Sequence, residues 1–368
     1  MNKMFYKKAK YILAASTIML AHKGVHAQIA PKYSNEFLAI GVGARAHAMG
    51  NAYVSIVDDA TAGYWNPAGL TKVQSNIQLG LMHSEYFAGI AKYDYGSIAI
   101  PMADQQSTIA ATFIRFAVDD IPDTRDLIDK DQNINYDRIY SFSAADYAFQ
   151  FSYARKNLNY EGLSYGANAK VIYRNVGQYA KAYGFGIDIG AQYETTNWQF
   201  GVMARDVSST FNAWSFNIDK LRTVFAQTGN AIPQNGLEIT LPKTILGSAY
   251  RNLFFRKVSV LASMDLDLTY DGRRNVVMST RLVSGDPHLG VEVGYGGFIY
   301  LRGGIMNIQQ EKDFDGSKHW VYQTNVGVGI RFKQMCLDYA FAALPTAKSV
   351  TPASHIISLK LDVYRKGR

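Results

Sequence analysis

The chain has 368 residues, of which only 18% are charged, with 25 Tyr, 19 Phe, 4 Trp and 31 Gly. That composition excludes disorder, collagen-like repeats and long coiled coils, and the single cysteine, Cys336, excludes a disulfide framework or a thiolate metal cluster. The formal charge of +8 is inflated by six lysines within the first 32 positions, so it gives no support to a nucleic-acid partner.

The first segment reads as an address. Lys3, Lys7, Lys8 and Lys10 precede the apolar stretch from Tyr11 to Ala21, and Val25-His26-Ala27 places small residues where a signal peptidase cuts. This layout predicts a secretory signal peptide over 1–27. Gln28, not a cysteine, follows Ala27 directly, so a lipid anchor at that point is not expected. Beyond it no run of eighteen apolar residues occurs, so no transmembrane helix is expected. An exported chain of this kind is then either soluble or a β-barrel.

Residues 28–75 differ in character from the remainder of the chain. A small, Gly-rich stretch from Gly41 to Gly50 leads into the apolar run Tyr53 to Val57. Asp58-Asp59-Ala60-Thr61 resembles a helix start, and Trp65-Asn66-Pro67-Ala68-Gly69 marks a tight turn. A piece too small to fold alone, placed before a barrel, is expected to act as a hatch that plugs it.

From about residue 76 onward the sequence alternates. Tyr147, Phe149, Phe151 and Tyr153 share one face of a strand whose other face carries Asp146, Gln150 and Ser152. Near the C-terminus Ile357, Leu359, Leu361 and Val363 alternate with Ser358, Lys360 and Asp362. Fourteen strands are expected, at 76–92, 95–101, 107–118, 142–156, 161–175, 182–195, 197–208, 240–251, 256–269, 287–295, 298–308, 319–331, 334–343 and 354–364. A further alternating segment at 274–283 is assigned to a loop, because an odd count breaks the alternation of the connections. The long connections, 119–141, 209–239, 270–286, 309–318 and 344–353, all fall at one end. Short periplasmic turns and long extracellular loops are the signature of an outer-membrane barrel. A soluble β-sandwich or propeller also alternates, but it accounts less well for the loop asymmetry and the tyrosines, and no fixed repeat is present. The expected fold class is therefore all-β: a 14-stranded antiparallel outer-membrane barrel over 76–368.

The segment Gly43-Ala44-Arg45, Met49-Gly50, Ala52-Tyr53-Val54, Asp58-Asp59-Ala60-Thr61-Ala62 and Trp65-Asn66-Pro67-Ala68-Gly69-Leu70 resembles the hatch signature of the PorV/PorQ family, within the larger FadL-like group of barrels. Ile121-Pro122-Asp123-Thr124-Arg125, Phe142 to Phe149, Met203-Ala204-Arg205-Asp206, Phe211 to Phe216 and Leu337-Asp338-Tyr339-Ala340 extend the resemblance over nearly the whole mature chain. One departure is Asn51, where a Gly is common. The resemblance implies a component of type IX protein secretion. Such a protein binds the C-terminal domain of secreted cargo and retains or shuttles it at the cell surface. It also implies the outer-membrane translocon barrel as a further partner, with membrane lipid or lipopolysaccharide around the wall. The implied hatch residues are Gly43, Arg45, Met49, Gly50, Asp58, Asp59, Trp65, Asn66, Pro67 and Gly69.

Catalytic and cofactor motifs are absent. The Gly-rich stretch lacks the Gly-Lys-Ser/Thr ending of a phosphate loop, and neither a G-x-S-x-G elbow nor an H-E-x-x-H helix occurs. His47, His83, His288, His319 and His355 are scattered, and Asp58-Asp59 reads as a helix N-cap with its dipole-complementing neighbour. No enzyme activity and no cofactor are expected. Loop 119–141 holds seven aspartates against Arg125, Lys130 and Arg138, four negative charges net. Within it Asp129, Asp131, Asn133 and Asn135 place oxygen ligands at alternate positions, as a calcium loop does. Ile134 stands where such a loop has Gly and no Glu closes it, so a solvated acidic loop is the default reading. Loop 209–239 is rich in apolar groups, which either fold inward, rest on lipid, or form a docking patch. Phe211, Trp214, Phe216, Asp123, Arg125 and Asp126 are the expected cargo contacts. The rival expectation is a channel for hydrophobic small molecules, as FadL itself is.

Overall fold

The computed structural model describes residues 34–365 apart from 87–88, 129–130, 229–234, 255–256, 314 and 344–352. The expected signal peptide, Asp129 and most of the 344–353 loop lie outside the described residues. Fourteen antiparallel strands form a closed wall. They are β1 (Ile77–Tyr86), β2 (Ala91–Pro101), β3 (Ser107–Asp123), β4 (Tyr140–Lys156), β5 (Leu163–Val176), β6 (Ala180–Glu194), β7, β8, β9 (Val258–Thr269), β10 (Ser284–Tyr295), β11 (Ile299–Lys312), β12 (Lys318–Phe332), β13 (Met335–Ala342) and β14 (Ser354–Val363). β7 is broken into Trp198–Arg205 and Thr210–Phe216, and β8 into Gly236–Thr240 and Lys243–Phe254. The wall closes where β14 pairs with β1, from Ile77↔Val363 to Glu85↔His355.

The wall reverses the polarity of a soluble sandwich. Phe149, Phe151 and Tyr153 point outward, 44–63% exposed, while Gln150 and Ser152 between them are at most 5% exposed and face inward. Outward aromatics mark both rims of the apolar band. Tyr147, Tyr173 and Tyr183 lie opposite one another on β4, β5 and β6, with ring centroids 5.9 and 5.1 Å apart. Trp198 packs on Phe200 and Tyr250 at the other end. Apolar faces between aromatic girdles are how a barrel wall meets a bilayer.

All the long connections lie at one end, but not every connection there is long. β1 and β2 meet across 87–90, where Gly89 takes a positive φ of 87°, so the first hairpin turns earlier than the expected 93–94. Tyr93 belongs to β2 and is fully buried. β5 and β6 are joined just as tightly through Gly177, at φ 49°. Two of the expected loops are largely sheet. β3 climbs past a bulge between Val118 and Ile121 to pair Asp123 with Tyr140, so Asp119, Asp120 and Asp123 are strand residues. Within 209–239, Thr210–Phe216 and Gly236–Thr240 extend the wall and α3 (Ile218–Thr228) lies between them. Both extensions form because cross-strand pairing satisfies backbone groups that a bare loop leaves to water. In 274–283 only Met278–Ser279 is extended, pairing with the start of β10 and not joining the wall.

Within the wall lies the chain from Ser34 to Ser75, with α1 (Ala44–Ala48), α2 (Ala62–Trp65) and a 3-10 turn at Pro67–Lys72. Val42, Ala48, Met49, Val54, Ile56 and Leu70 in it are fully buried. Phe151→Arg, mid-band on the outer face, is expected to destabilise the folded barrel by about 2–4 kcal/mol. Urea titration in lipid vesicles checks this.

Candidate functional site

The segment inside the wall is too short to bury its own polar backbone, and inward side chains of the strands do so for it. Asp265 on β9 accepts from the Tyr53 and Val54 amides at 2.7 and 2.8 Å. Gln78 on β1 accepts from the Ala60 amide at 2.7 Å, and Asn168 on β5 donates to the Gly63 carbonyl at 2.7 Å. Gln192 on β6 donates to Val54 and Val57, and Asn325 on β12 donates to the His47 carbonyl. His288 on β10 meets the Gly50 carbonyl at 2.9 Å. Lys360 on β14 reaches Asp59 at 3.3 Å. These contacts come from every side of the barrel.

The motif residues divide the labour of that seal. Arg45 makes a two-pronged pair with Glu292 on β10, at 2.8 and 3.1 Å, and a second bond to Asp58 at 3.0 Å. Arg302 on β11 holds the same Glu292 and continues to Asp338 on β13, each at 2.6 Å. Asp58 is therefore an ion-pair partner and not a helix cap. The N-cap of α2 is Thr61, whose amide donates to Asp59 at 2.9 Å. Asn66 caps the Pro67 turn by accepting from the Ala68 amide, and its own amide group donates to Val54 and to Ala191 on β6. Pro67 begins that turn, where its missing N–H has no partner to lose. Trp65 donates to the Val42 carbonyl at 2.8 Å, and Gly43 begins α1 at φ 89°.

Close backbone approach explains the glycines. A Cβ on Gly304 of β11 would stand 2.1 Å from the Gly50 nitrogen, and one on Gly290 of β10 would stand 2.4 Å from the Met49 carbonyl oxygen. Gly50 itself has a φ of 62°. Gly69 leaves no more room, with the Val57 carbonyl oxygen 2.4 Å from its Cβ position. The departure at Asn51 has a physical reason too: its φ is 61°, a left-handed conformation that Asn tolerates better than other side chains.

Charge inside the plug is set by burial and pairing. Burial pushes the His47 imidazole down to about 4, against its hydrogen bond to the Gly41 carbonyl. Burial alone would raise the Asp58 carboxyl, yet the positive charges of Arg45, Lys360, Arg251 and Lys72 hold it well below the usual carboxylate range. The cavities on either side of the plug are charged as well. One of about 1400 Å³ opens at the short-turn end among Lys72, Glu194, Arg251, Arg331 and Asp362. On the other side a cavity of about 310 Å³ is lined by Glu36, Arg205, Lys243, Asp267, Arg274 and Asp286.

At the long-loop rim the structure brings most of the residues expected to contact cargo near one another and turns one to the opposite face. Trp214 and Phe216 stack at 5.9 Å on the inner side of β7, with Arg174 over the Trp214 ring and Glu238 accepting from its indole. Phe211 faces outward, beside Phe185 on β6, because an odd offset from Trp214 puts it on the opposite side of the strand. Arg125 pairs with Asp123 at 2.6 Å, lies over the Tyr179 ring and donates to the Lys220 carbonyl, tying the β3 extension to α3. Asp126 is exposed. Of the calcium candidates, Asn135 has its side-chain oxygen committed to the Asp137 amide at 3.0 Å. Among the described residues no group of three His, Cys, Asp or Glu side chains is arranged to hold a metal. The residues that sequence reasoning missed are Asp265, Gln192, Glu292 and Arg302. Each sits at an inward position of an alternating strand, and that was the available signal.

No protein-family model matches the chain, and no curated protein matches it in sequence. Solved structures match it in fold. The monoaromatic hydrocarbon channel CymD is similar with a TM-score of 0.56 at 14% identity, over 89% of this chain and 98% of that one. The Pseudomonas putida toluene transporter TodX gives 0.54 at 14%, over 88% and 98%. The Ralstonia pickettii toluene transporter TbuX gives 0.53 at 13%, over 88% and 99%. The fold is that of a FadL-like outer-membrane barrel. At such identities the likeness is one of architecture, and these neighbours are transport proteins.

The plug generates two expectations. Gly304→Val displaces Gly50, so planar-bilayer recordings are expected to change from a sealed barrel to a conducting one. Because the His47 pKa is lower folded than its ordinary 6.5, the unfolded chain takes the proton first. The contribution of this group to the plug's stability is whole above about pH 6.5 and is lost as pH drops toward 4, about 3 kcal/mol in all. Urea unfolding at pH 7 and pH 4.5 checks this, and His47→Gln is expected to flatten the difference.

Proposed function

We propose that this protein holds exported proteins at the cell surface, as a PorV-like component of type IX secretion, by binding their C-terminal domains on its extracellular rim. The observation that carries the reading is the sealed interior. The hatch is bonded to strands on every side and flanked by charged cavities, which leaves the tall rim around Trp214, Phe216 and Arg125 as the surface able to recognise a partner. The family resemblance in the hatch and along the later strands supports the same reading. Binding of this kind needs aromatic anchors in a polar surround, and the stacked Trp214–Phe216 pair beside Arg174 and Glu238 supplies it.

A second reading is a channel for hydrophobic small molecules. It is favoured by the fold neighbours, whose described roles are hydrocarbon and toluene transport, and those roles point to it more directly than to retention. Against it stand the charged groups in the two larger cavities, since a hydrocarbon site is expected to be mostly apolar. A smaller cavity between hatch and wall, with Val42, Tyr53, Met82, Tyr95 and Leu359 in its lining, is of that kind.

Mild-detergent affinity purification of the tagged barrel from outer membranes, with mass spectrometry of what accompanies it, separates the two. A stoichiometric secreted protein supports retention, and a barrel that carries only hydrocarbon-like ligands or fatty acids supports transport. Trp214→Ala with Phe216→Ala is expected to weaken capture about tenfold or more. Unchanged capture removes the rim from the reading.

A further inference from the structure

The rim of the wall is stepped, and among the described residues one step leaves a strand edge without a ladder partner. The upper piece of β7 pairs with β6 on one side, Phe185↔Phe211 to Ala180↔Phe216, and with Gly236–Thr240 of β8 on the other, Thr210↔Thr240 to Trp214↔Gly236. The next strand does not climb as high. β9 ends at Thr269, opposite Lys243, and the chain leaves into 270–283. Among the described residues the second edge of Gly236–Thr240 therefore has no ladder partner. Five residues present about 17 Å of it.

Other strands also overtop their neighbours, and three of these edges carry a device that discourages pairing. The β3 extension has a bulge, Asp120 at φ 56°, and Pro122. The upper part of β11 is bulged between Met306 and Gln309 and ends in Glu311 and Lys312. The tip of β12 begins with Lys318 and His319. Bulges, prolines and charges of this kind are how exposed edges are kept from adding strands. Gly236-Leu237-Glu238-Ile239-Thr240 has no bulge and no proline. Its one charge, Glu238, turns inward to Trp214 and Arg174, while Leu237 is 52% exposed.

We propose that this edge takes an extended segment of the exported partner by strand addition. The inference rests on the retention reading and specifies how the rim holds its cargo. An unpaired row of alternating N–H and C=O groups is complementary to another extended backbone and to little else. Leu237 and Ile239 give that backbone alternate apolar contacts. The partner is a polypeptide with an extended stretch of alternating β-branched residues, whose apolar side chains meet Leu237 and Ile239 on the outer face.

Amide hydrogen exchange on the full-length barrel in detergent, with and without an alternating Thr-Val hexapeptide, tests this. Exchange at 236–240 is expected to slow by about tenfold or more on peptide addition. Leu237→Lys, folded by heat-modifiable gel mobility, is expected to abolish the effect. The same amides are expected to be protected in the complex co-purified with a secreted protein. No slowing with the hexapeptide overturns the proposal. So does protection already present in the free barrel, which assigns the edge to the chain's own segments, or to a second copy when the particle size doubles. A co-purified complex in which 236–240 exchanges as in the free barrel overturns strand addition and leaves retention standing. If no secreted protein co-purifies, retention itself fails and strand addition to cargo fails with it.

Discussion

Strict alternation in a closed membrane wall fixes where polarity must go. Each outward residue faces lipid, so the intervening inward residues carry the polar atoms, and these need partners inside the barrel. The hatch is the partner. Asp265 accepting two adjacent amides, Asn168 and Asn325 donating to helix-region carbonyls, and Glu292 shared by Arg45 and Arg302 are the same arrangement repeated around the wall. Neither half is stable in that form without the other. The segment has little regular structure to satisfy its backbone, and the wall has buried side chains with few other groups to meet.

The constraint also divides the molecule by task. The middle of the barrel is occupied by a largely polar contact between hatch and wall, and the strand extensions at the long-loop end stand clear of it. There the inner side of β7 bears stacked aromatics while its outer side, at Phe211, still belongs to the lipid-facing wall. One strand thus serves two solvents along its length. The likeness to hydrocarbon channels lies in the architecture, and the groups lining the cavities beside this hatch are this chain's own.

Much of this was legible in the sequence. The fourteen strands were readable because alternation is a short-range signal that every wall strand must carry. The small residues of the hatch were readable because close approach excludes larger ones. What the sequence concealed depends on distant pairing. The extensions of β3 and β7 look like loops, since Asp120 and Pro122 or Ser208 and Ser209 interrupt the pattern, and only the partner strands at Phe142 and Phe185 reveal them as sheet. Asp58 read as a cap because Arg45 lies thirteen residues away in a segment with no visible period. Phe211 groups with Trp214 by proximity in sequence, while the break in β7 hides which side of the wall each takes.

The threading of the hatch through the wall has a consequence for biogenesis. Asn35 bonds to Thr240 in the upper half of the barrel, and Lys72 pairs with Glu194 beside a short turn at the opposite end. Arg45 and Glu292 are separated by 247 positions, and the seam joins Gln78 to Asp362 across 284. Contacts so remote form late. Since neither half holds its form alone, a wall that closed first would shut the segment out of a bore lined with unmet charge. Hatch and wall are therefore expected to set together, the segment settling while the strands gather and β14 meets β1.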